Sequence, residues 1–333
     1  MRVPLLALTL LGRGALALAA PAPDSSAVRA DSVAAFAAAG ADTLAFAFAP
    51  GGSMGLGVPA PERLVEPAGL AVDAFGRVFV ADAALHRLQI FDARGAWLAT
   101  AGTLGSDPGQ LRRPGAVTTL GQAGIAVLDR ENFRVESYDL LGRRSGTLVD
   151  LADPALVDQV GRVDPVTLAA DRGGAVYLAD AERDRVLVFD FSGRYLRALG
   201  GFGARPGSFR GLRALAVTRR GELLAADRDP PRLQRLEPSG RAAVAWPLPA
   251  GIGHAGMALA VDDSGRVALA DESSGWLWMF DREGRLLAAL GGLGGPRALA
   301  FAPDGTLLVA EARAGRVSRW TLRPARAPAG GGR

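Results

Sequence analysis

The stretch Arg77–Gly102, RVFVADAALHRLQIFDARGAWLATAG, decides how the chain folds. Val78–Ala81 is apolar and is closed by Asp82. Arg87–Phe91 alternates apolar and polar residues, and Asp92-Ala-Arg-Gly95 turns the chain into Trp97–Ala101, which a Gly-rich loop follows. Gly69–Val72 adds a strand in front, across the turn Asp73-Ala-Phe-Gly76. Four strands in about forty residues describe one small antiparallel sheet.

The unit repeats. Asp82 and Arg87 recur with the same spacing as Asp129/Arg134, Asp180/Arg185, Asp227/Arg232 and Glu311/Arg316, while a further copy sets Asp271 against Trp276. These copies lie 40 to 51 residues apart, too far for leucine-rich repeats, and each is built of strands. The expected fold is therefore all-β: a six-bladed β-propeller of four-stranded antiparallel blades.

The residues around the Asp and Arg resemble the NHL repeat family. Pro67–Gly95 follows that family's pattern almost throughout, and Asp171–Gly203, DRGGAVYLADAERDRVLVFDFSGRYLRALGGFG, follows it nearly as well. The resemblance spans about Leu44 to Leu322 and is weaker in the second, fourth and sixth blades. It implies that the Asp–Arg loops share one face with the loops entering the innermost strands, around a central channel.

Ring closure follows from what the last blade lacks. It has RALAFAP, TLLVAE and RVSRWTL, and then the chain runs out in PARAPAGGGR. Thr43–Ala49, TLAFAFA, alternates as a strand should, so it is expected to pair with Arg316–Leu322 and remove two open sheet edges. The propeller is thus expected over 43–323. The blades run over 67–104, 114–149, 163–203, 211–248, 255–291 and 296–322. Met1–Ala22 reads as a secretory signal, with a charge at Arg2, an apolar Leu5–Leu11 and small residues before a cut near Ala20 or Ala22, although Arg13 interrupts it. A linker over 23–42 and a disordered tail over 324–333 flank the ring; Asp31–Gly40 within the linker reads as either a helix or a strand. Between the second and third blades, Asp153-Pro154-ALVDQVG reads as an N-cap, a first-turn proline and a short helix.

Composition removes several functions. The net charge is +4, and all 38 basic residues are Arg. The sequence pI of 10.4 reflects that Arg usage more than a basic patch. No aromatic-plus-basic stripe accompanies it, so nucleic acid is not an expected partner. Cysteine is absent, which excludes disulfides, thiolate metal sites and a Cys nucleophile. With the signal reading of Met1–Ala22, the expectation is export to the periplasm or beyond, with no stable membrane insertion after signal cleavage, and a monomer is expected.

A pair that recurs in nearly every blade is structural, because an active site is built once. Asp82/Arg87 and its copies are expected to pin the loop between the second and third strands. The acidic turns at Asp262, Asp281 and Asp304 are hairpin chemistry rather than calcium loops. The Gly-rich loops connect blades, since none leads into a helix as a phosphate cradle would. His86 stands at a repeat position and reads as structural. Departures from the repeat are more informative. His254 sits in the loop entering the fifth blade's innermost strand, facing the channel. Trp276 replaces the repeat Arg, with Trp278 on the same side of its strand. Arg130, Glu131, Arg183, Arg228 and Arg313 add charge to the same face, suited to an anionic ligand.

The expected function is binding of a protein, peptide or glycan on that face by an exported, non-catalytic propeller without a cofactor. Two alternatives stand beside it. One is a metal-dependent propeller enzyme, a lyase or lactonase, with His254 and Glu272 near a divalent cation in the channel. Similar lactonase-like propellers use several acids and asparagines, and this chain has one Asn, Asn132; amidating-lyase propellers use three His, and this chain has two. The other alternative is a structural module of an envelope assembly.

Overall fold

A computed structural model describes residues 46–55, 62–249 and 252–325. Six sheets of four antiparallel strands form a ring. The first blade contains Pro67–Val72, Val78–Asp82, Arg87–Phe91 and Trp97–Ala101, paired in that order from the channel outward. The innermost strands of successive blades pack side by side all the way round, the sixth against the first.

Each blade is buried on both faces, which explains why its second and third strands are apolar at nearly every position. Val78–Asp82, Val176–Asp180 and Val267–Asp271 are buried along their whole length. The core is accordingly not one mass but six clusters, each shared by two neighbouring blades. Phe79, Leu88 and Ile90 of the first blade meet Ile125, Val127 and Tyr138 of the second. Leu70, Val80 and Phe91 on the other face meet Leu308, Ala310 and Val317 of the sixth. The helix Pro154–Val160 forms as expected: the Asp153 side chain accepts from the Ala155 N–H, and Val160 enters the second–third blade cluster.

The last blade is closed by an N-terminal strand, but the strand lies further along than the alternation suggests. It covers Phe46–Met54 and pairs with Arg316–Pro324, Phe48 facing Leu322 and Met54 facing Val317. The Pro50-Gly-Gly segment, beyond the end of the expected strand, sits within it at a register shift between Pro50 and Ser53. Glycine there lets the backbone bulge without leaving the sheet. Thr43–Ala45, the signal at Met1–Ala22, the segment Asp31–Gly40 and most of the C-terminal tail lie outside the described residues. Among the described residues no helix is long and apolar enough to cross a membrane.

Two blade connectors share one design. In 102–112 and 201–211, Leu111 and Phe209 are fully buried, while Leu104 and Phe202 are 60% and 75% exposed. Parallel bridges join Leu104 to Leu111 and Phe202 to Phe209. Gly200 is obligatory in this arrangement: its φ is +78°, and a Cβ there would lie 2.2 Å from the Phe209 ring.

The closing strand should carry much of the ring's stability. A chain beginning at residue 56 is expected to unfold at least about 5 °C below one beginning at residue 46, since each kcal/mol is worth roughly 2–4 °C in domains near this size. Thermal unfolding followed by circular dichroism reads the difference; equal midpoints would show that closure contributes little.

Candidate functional site

The site begins with the buried acid that ends each second strand. Asp82, Asp129, Asp180, Asp227, Asp271 and Glu311 are at most 1% exposed. Each accepts a backbone N–H from the segment entering its own blade's innermost strand: Val65 and Glu66, Arg112, Asp164, Arg210, Gly253 and Gly294. Burial pushes the Asp129 and Asp227 carboxyls up, while donated hydrogen bonds and the paired guanidinium pull them down. At Glu311, burial acts upward too, but the bonds from Arg316, Ser318 and the Gly294 N–H hold it below its ordinary value.

The repeat Arg residues, expected to pin the loop between the second and third strands, reach instead the connector that enters the blade. Arg134 donates to Asp129 at 2.9 Å and also to the carbonyls of Ser106, Asp107 and Gln110. Arg232 reaches Asp227 and the Ala204 and Ser208 carbonyls, Arg185 reaches Asp180, and Arg316 reaches Glu311. Arg87 donates to the Arg63 carbonyl. In the fifth blade, Asp271 is served by the Gly253 and Ser274 N–H groups, and Trp276 stands where the guanidinium would be. Asn132 is likewise committed, to Gly105 and Asp129. The turns at Asp262, Asp281 and Asp304 are closed by their own carboxylates accepting from the N–H two residues on.

The residue before the repeat Arg or Trp adopts positive φ in five blades: His86, Phe133, Asp184, Gly275 and Gly315. A non-glycine residue there costs of order 1 kcal/mol. His86 and Asp184 offset this by clamping the next connector: His86 Nδ1 accepts from the Arg113 N–H, and Asp184 accepts from Gly211 and Leu212. Phe133 has no such bond to make and is 49% exposed.

These elements surround the mouth of a central cavity of about 1350 Å³. Of the residues singled out from sequence, the cavity gathers Arg130, Glu131, Arg228, His254 and Glu272. Arg183, Arg313 and Trp276 do not line it. Arg183 donates to the Arg162 carbonyl and Arg313 to the Glu272 carbonyl. Trp276 is half-buried and stacks on the fully buried Trp278, ring centroids 6.4 Å apart. His254 is exposed at the wall. The Glu272 carboxylate is engaged by Arg297 at 2.6 and 3.1 Å.

Other lining residues escaped the sequence reading: Glu66, Phe133, Phe202, Arg210, Arg213 and Arg297. A signal existed for two of them. Arg213 and Arg297 occupy the second position of an innermost strand, where the first three blades carry Ala68, Gly115 and Val166. A guanidinium in an apolar strand facing a channel is a departure from the repeat.

Ion pairs cover one half of the mouth. Arg297 bridges Glu66 at 2.5 Å and Glu272, and Arg113 joins Glu66 at 3.0 Å and Glu131 at 3.7 Å. Burial opposes the Arg297 charge, but its two carboxylates raise its pKa above the ordinary value. Further round the rim Arg130 approaches Asp164 at 3.6 Å and Arg210 pairs with Asp229 while lying over the Phe202 ring.

No protein-family model matches the chain. It is 28% identical over 143 residues to Protein brain tumor of Drosophila melanogaster, covering 41% of this chain and 13% of that protein. The chain thus spans only a small fraction of that relative's length. Among solved structures, a streptogramin B lyase superposes with a TM-score of 0.56 at 11% identity, covering 83% of this chain and 98% of that one. The virginiamycin B lyase of Staphylococcus aureus gives 0.54 at 11% identity, covering 79% and 86%. Raptor of Chaetomium thermophilum gives 0.58 at 15% identity, covering 83% of this chain and 29% of that one. At such identities these likenesses establish the propeller fold alone.

Arg232→Met strands the buried Asp227 and is expected to destabilise the protein by about 3–5 kcal/mol. Arg285→Ala, which breaks an exposed turn pair, should cost far less. Urea denaturation of both variants checks the contrast; similar losses would mean that the buried pair is not a fastening.

Proposed function

We propose that the chain is a non-catalytic binding propeller that takes a peptide segment of a partner protein over the channel mouth, on the face carrying the Asp–Arg loops. The observation that carries this reading is Phe133. It bears the backbone strain that His86 and Asp184 offset with hydrogen bonds, and it places its side chain at the mouth of the cavity. Aromatic residues and arginine are enriched among the anchors of protein interfaces, and on the same rim Arg210 lies over the Phe202 ring. A place among NHL-repeat propellers, supported by the motifs of Pro67–Gly95 and Asp171–Gly203, belongs to the same reading.

A metal-dependent lyase is the second reading. Its support is that His254 and Glu272 line one cavity in a fold shared with the streptogramin lyases. Against it, a cation would have to take Glu272 from Arg297, and among the described residues no three His, Asp or Glu side chains gather as a metal-holding group.

Peptides selected from a random displayed library on the purified protein are expected to lose at least tenfold in affinity to Phe133→Ala and Phe202→Ala. They should be indifferent to Phe75→Ala and Phe191→Ala, in the turns of the opposite face. Equal losses on both faces would overturn the site. Elemental analysis showing a near-stoichiometric divalent cation that disappears in His254→Ala would install the lyase instead.

We further propose export, supported by the pattern of Met1–Ala22. In a bacterial secreting host the mature chain should begin near Pro21 or Pro23 by N-terminal sequencing; an intact Met1 in the cytosol would overturn it.

A further inference from the structure

The sixfold repeat allows the chain to be compared with itself at the mouth. Arg297 shows what a guanidinium at the second position of an innermost strand requires. It takes one carboxylate from Glu66, which immediately precedes the next blade's innermost strand, and one from Glu272, which immediately follows the previous blade's buried acid. Arg213 occupies the same position two blades away. Its corresponding neighbours are Gly256, preceding the fifth blade's innermost strand, and Ala181, following Asp180. Both line the cavity, and neither carries a charge.

Arg213 consequently has no carboxylate partner among the described residues. Its hydrogen bond goes to the Leu212 carbonyl. Burial lowers its pKa, and the like charge of Arg228 lowers it further, with Asp184 and Asp164 opposing and Arg130 adding to the repulsion. Asp184 is already occupied by two backbone N–H groups, and Asp164 faces Arg130. Arg228 is held across Gly211, where an added Cβ would lie 2.6 Å from its Cγ, and its guanidinium meets no carboxylate within salt-bridge distance among the described residues. Two guanidiniums thus share one wall of the mouth, with the places of both expected carboxylates taken by Ala181 and Gly256.

We propose that Arg213 and Arg228 form an oxyanion subsite that receives a carboxylate or phosphate group of the ligand, in the space that Ala181 and Gly256 leave open. This rests on the reading of the mouth as a ligand site. Paired guanidiniums suit such a group because each presents a planar fork of donors to two oxygens. Arg213 is half-buried, which strengthens its attraction relative to water, and Arg228 is exposed beside it. The ion-paired half formed by Glu66, Arg113, Glu272 and Arg297 would repel or ignore the same group, so the ligand's charged end is directed to the third and fourth blades.

The test uses the folded chain with two probes, inorganic phosphate and glutarate, and reads the arginine Nε–Hε resonances in ¹⁵N-labelled protein. Two resonances should shift saturably and should be lost or unresponsive in Arg213→Met and Arg228→Met, with Arg194→Gln on the opposite face as an unaffected control. Ala181→Glu supplies internally the carboxylate that Arg297 enjoys. It should raise the melting temperature and weaken anion binding at least tenfold, which separates site loss from misfolding. A response to glutarate alone assigns a carboxylate, to phosphate alone a phosphoryl group, and either supports the subsite. No saturable response to either probe, or a response that survives both Arg213→Met and Ala181→Glu, would overturn it. Library peptides that still bind through Phe133 while Arg213→Met has no effect would sink the subsite and leave the binding face standing.

Discussion

The ring depends on one interaction made six times: a carboxylate without solvent access accepting the backbone N–H of the chain as it enters the blade. The guanidinium partner is the more dispensable half. Asp271 keeps its place with Trp276 opposite, because the Gly253 and Ser274 N–H groups remain. Glu311 substitutes for Asp with a longer arm and still reaches the Gly294 N–H. What the acid secures is the crossing from one sheet to the next. Without it each connector would leave backbone donors buried and unpaired at the inner end of a blade, at about 1–3 kcal/mol apiece.

That division of labour explains which parts of the protein were legible in its sequence. The acid, the turn aspartates and the apolar second strands serve the same purpose in every blade, so they recur and can be read by comparing the chain with itself. Positions that flank the acid are under no such demand. After it come Ala83, Arg130, Ala181, Arg228, Glu272 and Ala312; before the innermost strand come Glu66, Arg113, Asp164, Gly211, Gly256 and Gly295. All of these unlike residues except Ala312 and Gly295 line the cavity. Arg130, Arg228, Glu272 and His254 were recoverable because they stand beside a recognisable motif. Arg213 and Arg297 show only as guanidiniums in apolar innermost strands, and Glu66 not at all, because its significance lies in pairing with Arg297, 231 residues away in sequence.

Trp276 illustrates the opposite difficulty. As a break in the repeat it stands out, yet the broken position lies between blades rather than on the channel. Its indole fills, by stacking on Trp278 and covering Gly291, the room the guanidinium leaves. The closing strand differs from its expected limits for a related reason. Alternation marks Phe46 and Phe48, which pack on the fifth–sixth blade cluster, but gives no warning that Pro50-Gly-Gly continues the pairing through a bulge.

Closure by the N-terminal strand also sets an order of assembly. Phe46 faces Pro324, so the last sheet unites residues from opposite ends of the described chain. Blades one to five are each continuous in sequence and can pair their strands as they emerge. The sixth cannot be completed until the final strand is present, and the contact it then makes is among the longest in sequence that the fold contains. Loop closure on that scale is slow to find though only modestly costly at equilibrium. During synthesis the early strand Phe46–Met54 therefore waits with an open edge, and the ring is a structure whose first segment is the last to be satisfied.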